Sequence, residues 1–272
     1  PIRAQSTNTL DEAPDSRAWF TNRAGSRPLS LDDIARGPGS STGPPAPGKW
    51  TITAAKNEGV TPGFRIRDAR GERYVVKFDP KTNPEMSTAA DVIGAHAFHV
   101  LGYNVPENYI VEFDPADLEI GENAKIPDPR TGIDRPIGRF DVDNALLRVP
   151  RLPDGRIRAV ASRFLKGKIL GEFRYFGTRS DDPNDTVRHE HRRELRGLFV
   201  FDAWLNHNDS RAINDLDALV EEDGLKFVKH YLIDFGAILG SASVYANTAR
   251  DGNAYLFDGR EALFQALTLG VF

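Results

Sequence analysis

Residues 207–214 read HNDSRAIN, and they directly follow a stretch, 189–206, whose apolar residues recur at helical spacing. A second polar motif, DFG at 234–236, closes a late apolar stretch that begins at residue 226. A third feature comes earlier in the chain, where Lys77 lies near the end of an alternating stretch after a glycine-containing loop. These three features, in this order, decide the fold that the sequence predicts.

The region around Lys77 predicts a small antiparallel sheet. Three stretches alternate apolar and polar residues as half-buried strands do, namely 50–55, 64–67 and 73–78. The loop EGVTPG at 58–63 separates the first two strands, and a turn at 68–71 separates the second from the third. Because short loops join strands that are neighbours in a sheet, we expect two consecutive hairpins.

The rest of the chain predicts two helices and further strands. Residues 86–101 carry one apolar stripe at helical spacing, and Gly102 is a typical helix stop. The remaining predicted elements are strands at 108–113, 157–165 and 226–234, a helix at 189–206, and a short apolar helix from Glu261. The stretch 114–156 is rich in Pro, Gly and Asp and predicts a long loop or insertion.

Composition divides the chain near residue 50. Residues 36–48 read RGPGSSTGPPAPG, and this Pro/Gly-rich stretch predicts a linker, because it forms neither a helix nor a central strand. Before it, Trp19 and Phe20 predict an arm that docks on the rest of the chain or on a protein partner, since an exposed aromatic pair is costly. We therefore expect an arm and linker at 1–49 and one α+β domain at 50–272.

Composition also excludes several classes of function. The 272 residues include no cysteine, which excludes a disulfide scaffold, a Cys-ligated metal and a thiol nucleophile. Lys and Arg number 35 against 39 Asp and Glu, so the net charge of −4 leaves no basic excess for binding nucleic acid. No apolar run approaches the ~18–20 residues that span a bilayer. We expect neither a nucleic-acid partner nor a membrane span.

In the order of its motifs the chain resembles the protein-kinase-like fold. That family has a glycine-rich loop, a strand lysine, H-x-D-x-x-x-x-N and D-F-G in this order, and the spacing from Asp209 to Asn214 matches. The chain departs from typical members in three ways. Its glycine loop contains Pro62 and lacks the G-x-G-x-x-G pattern. No A-P-E motif follows the D-F-G motif, and the residues after Asp234, 235–272, are too few for the helical lobe of a typical protein kinase.

The chain is accordingly more similar to atypical relatives, namely HipA-like kinases and kinases of the phosphoinositide-kinase type. In those families, sequences similar to AWLNHND at 203–209 follow a helix. Over its whole length the chain also resembles uncharacterised bacterial proteins of unknown function, which often carry export signals. The resemblance implies two lobes: an antiparallel-sheet small lobe at about 50–165 and a reduced helical second lobe at about 166–272.

The resemblance also implies a role for each polar residue. Phosphoryl transfer needs positioning and neutralisation of charge more than covalent chemistry. The nucleotide phosphates would be bound by Lys77 and covered by backbone N–H groups around Gly59 and Gly63. Carboxylate and amide oxygens suit Mg²⁺, so Asp234 and Asn214 would hold the metal. Asp209 would accept the proton of the attacking hydroxyl.

Two assignments stay open at this point. The helix acid that pairs with Lys77 is either Asp91, in the middle of the first helix, or Glu85 at its start, and we favour Asp91 because small residues beside it permit close approach. The connection between the lobes is either 111–114 or 161–167, and the sequence does not choose between them.

The sequence predicts one of two functions. The first is phosphotransfer that depends on ATP and Mg²⁺, by an atypical kinase acting on an unknown hydroxyl acceptor. The second is a kinase fold without catalysis, a pseudokinase, that serves as a binding or accessory subunit of a larger assembly. Because the similar bacterial proteins often carry export signals, we favour an extracytoplasmic or periplasmic location over a cytoplasmic one.

Overall fold

The structure, a computed structural model, describes residues 3–5, 14–40, 42–56, 61–128, 130–248, 263 and 266–269. Two sheets organise this part of the chain. A seven-stranded sheet is built from residues 50–163. A three-stranded sheet, built from residues 168–232, follows it together with a long helix. The predicted α+β class with two lobes is confirmed.

The first sheet has the strand order β4-β7-β3-β2-β1-β5-β6. Its strands are β1 (Trp50–Ala55), β2 (Gly63–Arg67), β3 (Arg73–Lys77), β4 (Asn108–Phe113), β5 (Leu118–Pro127), β6 (Asp134–Pro136) and β7 (Ile157–Arg163). Neighbouring strands are antiparallel except β1 and β5, which are parallel. Lys77 ends β3 between Gly63 on β2 and Val160 on β7, so its backbone is held from both sides.

The stretch 114–156 is not the long loop that its composition predicted. It forms β5, β6 and a helix, α4 (Arg139–Leu146). Ala124 of β5 and Val142 of α4 are buried in the same apolar core as the predicted strands. The prediction was wrong because β5 carries several charged residues and alternates weakly, so pairing with β1 decides its conformation.

Helix α3 (Met86–Leu101) lies between the two lobes. It ends at Gly102, whose φ of 123° lies in the region that favours glycine and whose N–H caps the carbonyls of Phe98 and His99. Farther back on the helix, Gly94 faces Phe235 of the second lobe. A Cβ at Gly94 would lie 2.6 Å from the Cβ of Phe235, so glycine is required for this close approach.

The second sheet has three strands, of which only the last was predicted, at 226–234. Its strands are β8 (Lys168–Gly171), β9 (Asp215–Glu222) and β10 (Leu225–Leu232), in the order β10-β9-β8. A two-residue turn, Asp223-Gly224, joins β9 to β10, and both residues have positive φ, as tight hairpins require. The predicted helix at 189–206 is one 3₁₀ turn, His189–His191, followed by α5 (Arg193–Leu205).

The connection between the sheets follows β7. Residues 164–167 run from the end of β7 into β8, which belongs to the second sheet. Of the two segments that the sequence left open, 161–167 is therefore the one that joins the sheets, whereas 111–114 leads from β4 to β5 within the first sheet.

The N-terminal arm packs against both lobes. Trp19 is buried: its ring stacks on His230, with ring centroids 3.4 Å apart, and the Arg192 guanidinium lies 4.6 Å from its centroid. Phe20 packs against Gly102 at the end of α3 and against Tyr103. The arm also forms two short helices, α1 (Arg23–Ser26) and α2 (Leu31–Arg36).

A protein partner that binds through Trp19 and Phe20 is not supported. The rings that surround Trp19 belong to this same chain, and Phe20 pairs with Tyr103 through both its backbone and its ring. These contacts satisfy the need for burial that suggested a partner. The expected linker is likewise held in place, because the Tyr74 hydroxyl donates to the Gly43 carbonyl at 3.0 Å.

Among the described residues, none of the helices combines the length and apolar character that crossing a membrane requires. The tail helix predicted from Glu261 lies outside the described residues, except for 263 and 266–269.

Replacing Trp19 by alanine tests whether the arm stabilises the fold. Large-to-small substitutions of a buried Trp cost ~3–5 kcal/mol, so we expect the free energy of unfolding of Trp19→Ala to fall by about that amount. Urea unfolding measures the change, and Leu31→Ala, at an exposed position of the same arm, should change stability by less than ~0.5 kcal/mol. If Trp19→Ala is as stable as the wild type, the arm does not contribute to the fold.

Candidate functional site

The centre of the candidate site is a lysine between two carboxylates. Lys77 Nζ donates to Oδ1 of Asp234 at 2.9 Å and forms an ion pair with Oδ2 of Asp91. Lys77 and Asp91 are buried, whereas the Asp234 side chain is 36% exposed. The three side chains come from β3, from α3 and from the segment after β10, so this contact joins the small lobe, the helix and the second lobe.

Asp91, not Glu85, is the helix acid that meets Lys77. Asp91 Oδ1 accepts hydrogen bonds from Asn108 Nδ2 at 2.9 Å and from the Phe235 N–H at 3.2 Å. Glu85 precedes α3 with a positive φ of 67° and caps no helix N–H with its side chain. The aspartate reaches Lys77 although its side chain is one methylene shorter than that of a glutamate.

The electrostatics of the three groups follow from one positive charge between two negative ones. Burial alone would lower the pKa of Lys77, but the charges of Asp234 and Asp91 outweigh burial and raise it. The Lys77 charge lowers the pKa of Asp234 to about 2, against the effect of burial. Burial raises the pKa of Asp91 despite Lys77, and the Asp234 charge raises it further. Asp234 is therefore the carboxylate that stays ionised most readily.

The DFG segment holds Asp234 in an unusual backbone conformation. Its φ is 61°, in the left-handed region that non-glycine residues enter only at a cost of ~1–2 kcal/mol. Neighbouring contacts hold the segment in place: Phe235 is fully buried and stacks on Phe98 with centroids 5.2 Å apart. The next residue, Gly236, leaves no room for a Cβ, which would lie 2.8 Å from Ser87 Oγ. Strained residues of this kind concentrate at functional sites.

The loop after α5 carries the other predicted site residues. Asn214 Nδ2 donates to the Asp209 carbonyl at 2.6 Å, and the Asn214 carbonyl accepts from the Ile233 N–H at 2.9 Å. The second bond ties the loop to the residue just before Asp234. The Asp209 carboxylate, one third exposed, forms an ion pair with Arg211.

His207 links the loop to the DFG segment. Its ring lies 5.7 Å from that of Phe235, and its Nδ1 is 3.2 Å from the Ala237 carbonyl. Burial lowers the pKa of His207, and the charges of Asp209 and Asp234 both oppose this effect. The charges of both carboxylates therefore act on one imidazole ring.

The glycine loop is described only in part. Gly59 lies outside the described residues. Gly63 begins β2, and a Cβ there would lie 2.4 Å from the Val76 carbonyl, so the residue must be glycine for reasons of packing. Pro62 has no N–H to offer, and its carbonyl accepts from the Phe78 N–H at 3.2 Å. Close packing against the Val76 carbonyl is therefore sufficient to explain why residue 63 is glycine.

Sequence reasoning missed two residues of this site. Asn108, the first residue of β4, orients Asp91, and no motif announces it. Lys56 follows β1 and donates to the carbonyl and hydroxyl of Thr61, and its charge helps to lower the pKa of Asp234. Its position just before the glycine loop was the signal available for it.

The described residues contain no preformed cluster of three or more His, Asp or Glu side chains suited to a metal ion. A metal at Asp234 and Asn214 would therefore need further oxygen donors from a ligand or from water. Such incomplete protein ligation is usual for Mg²⁺ that binds together with substrate phosphates.

Comparison with known proteins yields distant structural likeness alone. No protein-family model matches the chain, and no curated protein matches it. Among solved structures, the crystal structure of the Golgi casein kinase is 11% identical, with a TM-score of 0.38 over 80% of this chain and 58% of that one. The same kinase with Mn and ADP bound is 11% identical, with a TM-score of 0.35 over 77% of this chain and 57% of that one.

The chain therefore spans less than two thirds of the length of these structures. At such scores the likeness carries no argument about function.

Breaking the buried pair should destabilise the protein. Lys77→Met leaves Asp91 buried without its cation, and removing one partner of a buried ion pair costs ~3–5 kcal/mol. Lys77→Met/Asp91→Leu removes both charges and should recover part of that loss. Urea unfolding of the two single variants and the double variant gives the coupling energy. Simple additivity of the single effects would show that the two side chains do not interact.

The pKa of Asp234 predicts a dependence of stability on pH. Because the folded state lowers this pKa from 3.8 to about 2, ionised Asp234 stabilises the fold fully above pH 3.8. That contribution is lost as the pH falls from 3.8 towards 2. The difference in unfolding free energy between wild type and Asp234→Asn should therefore shrink over this interval. A difference that stays constant between pH 5 and pH 2 contradicts the assignment.

Proposed function

We propose that the chain binds ATP together with a divalent cation, Mg²⁺ in the first instance, and transfers a phosphoryl group to a hydroxyl acceptor. The observation that carries the proposal is the Lys77 ammonium held between Asp91 and Asp234. A buried lysine with two acids is more than folding needs, because an apolar residue of similar volume would serve as well or better at such a position.

The support for Lys77 as a phosphate-binding group is its placement. Its backbone is fixed by strands on both sides, and its ammonium pairs with Asp91. The Asp91 carboxylate is in turn held by hydrogen bonds that Asn108 and the Phe235 N–H donate to it. A cation fixed in this way loses little conformational entropy when a phosphate binds. Such preorganisation is the main contribution a protein makes to phosphoryl transfer.

The residues present fit a divalent cation at Asp234. One of its oxygens, Oδ1, accepts from Lys77, and the side chain is 36% exposed, so part of the carboxylate remains accessible. Its low pKa keeps it ionised at neutral pH. Asn214 uses its amide nitrogen on the Asp209 carbonyl, which leaves its amide oxygen as a hard donor. The cation, when bound, would neutralise charge on phosphate oxygens.

Asp209 is the proposed proton acceptor. The bond from Asn214 to its carbonyl fixes the backbone beside it, and its carboxylate is accessible at one third exposure. Arg211 now occupies this carboxylate and is itself 66% exposed, so an acceptor hydroxyl would displace an exposed surface side chain. Exposed ion pairs contribute only ~0–1 kcal/mol, which makes this exchange inexpensive.

A second candidate function is nucleotide binding without catalysis. The ion pair that Arg211 makes with Asp209 favours it, because the arginine competes with an acceptor hydroxyl for the carboxylate oxygens. Pro62 favours it as well, since the loop lacks one N–H that could bind a phosphate. In this reading Lys77 and Asp234 would still hold nucleotide and cation, and the chain would act through its conformation as an accessory subunit. An extracytoplasmic or periplasmic location stays a prediction.

Thermal unfolding with nucleotide tests the proposal. At ~100 times the dissociation constant a ligand stabilises the fold by ~2.7 kcal/mol, and ~1 kcal/mol shifts the Tm of a chain of this size by about 2–4 °C. We therefore expect ATP with Mg²⁺ to raise the Tm by several degrees. Asp234→Ala should abolish the metal-dependent part, because it removes the ionised ligand.

Asp209→Asn separates the two candidate functions. It keeps size and charge-independent contacts but removes the proton acceptor, so the Tm shift should remain while ADP formation is lost. Glu221→Gln, an exposed acid on β9, serves as the control and should leave both readouts unchanged. A Tm shift without ADP formation in the wild type identifies a binding subunit. The absence of a shift with ATP or ADP and with Mg²⁺ or Mn²⁺ rules out both functions.

A further inference from the structure

The outer face of α5 carries large apolar side chains that no part of the described structure covers. Phe199 and Val200 are 61% and 63% exposed, and Trp204, one turn farther along, is 72% exposed. Residues four apart lie on the same face of a helix, so Val200 and Trp204 form one row with Phe199 beside it, and these three residues are called the α5 patch. The inner face of the same helix holds its buried residues, namely Glu194, Leu195, Leu198, Asp202 and Leu205. A helix that is apolar on both faces is usually covered on both.

The apolar surface continues beyond the helix. The ring of Phe199 lies 6.4 Å from that of Tyr175, measured between their centroids. At the C-terminal end of α5 the Leu239 N–H donates to the Leu205 carbonyl at 2.8 Å, and the Leu239 side chain is half exposed. Isolated exposed apolar residues are ordinary, whereas a contiguous apolar patch marks a surface that binds another surface.

A second apolar row lies in the segment 261–272, which reads EALFQALTLGVF and for which the sequence predicts a short apolar helix. Of the residues described there, Leu263 and Leu267 are helical and four residues apart, so they lie on one face. Their side chains are 61% and 75% exposed. The chain thus carries two apolar helical faces, and the described structure covers neither of them.

The path of the chain brings the segment 261–272 within reach of the α5 patch. The Asn247 N–H donates to the Gly240 carbonyl at 2.7 Å, and Gly240 follows Leu239, which is bonded to the last residue of α5. The chain therefore returns to the C-terminal end of α5 just before residues 249–260. A fully extended chain covers ~3.3–3.6 Å per residue, so these residues span up to ~40 Å, whereas α5 is only ~20 Å long.

We propose that the segment 261–272 docks as a helix on the α5 patch and covers it. Rows of side chains four residues apart on one helix fit between the corresponding rows of another, which is the commonest way for two helices to pack. Leu263 and Leu267 provide one such row, and Val200 and Trp204 provide the other. Docking removes apolar surface from water on both helices, and this burial drives the contact.

Attachment to the same chain favours this occupant over a second copy. A short linker holds the segment near the patch at an effective concentration on the order of mM, which exceeds the concentration of a second copy in dilute solution. The docked segment would brace α5, the helix that leads directly into the loop with Asp209. Docking requires neither nucleotide nor cation, so it does not depend on the proposed function.

Tryptophan fluorescence of the full chain tests the contact, because one of its three tryptophans lies in the α5 patch. Trp19 and Trp50 are buried, so acrylamide reaches Trp204 in preference to them. Because the docked segment shields Trp204, we expect blue-shifted emission and weak quenching by acrylamide in the wild type. Leu263→Asp/Leu267→Asp places two charges on the docking row, so the emission of this double variant should shift to the red and its quenching should become stronger.

Two controls tie the fluorescence signal to this contact. Leu225→Asp changes another exposed leucine, at the start of β10, and should leave emission and quenching at their wild-type values. Trp204→Phe keeps an aromatic ring in the patch but removes its fluorescence. Adding Leu263→Asp/Leu267→Asp to Trp204→Phe should therefore no longer change the quenching.

Cross-linking gives a second measurement that does not depend on the aspartate variants. The chain has no cysteine of its own, so an introduced pair reports on one contact alone. Under mild oxidation, Val200→Cys/Leu267→Cys should form a disulfide within a single chain, which a gel without reductant distinguishes from one between chains. Leu225→Cys/Leu267→Cys, whose first cysteine lies on the β9–β10 hairpin, should form none.

Two results overturn the proposal. The first is quenching that is as strong in the wild type as in Leu263→Asp/Leu267→Asp, which would mean that the segment leaves the patch open to a separate partner. The second is shielding of Trp204 that grows with protein concentration, with disulfides that join two chains, which would make a second copy the occupant. Neither result bears on the proposed function, because that function is tested through the response to nucleotide.

Discussion

The structure depends on one ammonium group placed between two carboxylates that belong to different parts of the chain. Lys77 ends a strand of the first sheet, Asp91 lies in the middle of α3, and Asp234 follows the last strand of the second sheet. Each charge is buried or half-buried, so each carboxylate needs the ammonium, and the ammonium needs the carboxylates. The contact therefore fixes the spacing of the lobes as well as the position of the lysine.

Close packing around this contact makes it specific. Gly94 lets α3 approach Phe235, and the Phe235 N–H then reaches the carboxylate of Asp91. At the far end of α3 the arm completes the packing, since Phe20 fills the space above Gly102. The helix is thus positioned at its middle by the DFG segment and at its C-terminal end by the arm.

The sequence predicts those parts of the fold whose periodicity is strong. The bounds of β1, α3 and β4 agree with the prediction, because apolar residues recur there at the spacing that each element buries. β5, β8 and β9 were missed: charged residues interrupt the alternation of β5 and β9, β8 has only four residues, and pairing with a neighbouring strand decides their conformation. The Asp223-Gly224 turn was a local signal of a hairpin that went unused. In the site, Asn108 had no signal, because its partner Asp91 is brought to it only by packing.

The long reach of the arm has a consequence for the order in which the chain folds. Arg17 pairs with Asp223, 206 residues away, and the ring that stacks on Trp19 belongs to His230. During synthesis, the arm emerges before these partners and cannot dock until the segment that carries Asp223 and His230 has followed it. Contacts of such large sequence separation slow folding, since the entropy of closing the chain is lost before the contact forms. Until the arm docks, Trp19 and Phe20 remain exposed to solvent, and such transiently exposed apolar surface promotes aggregation.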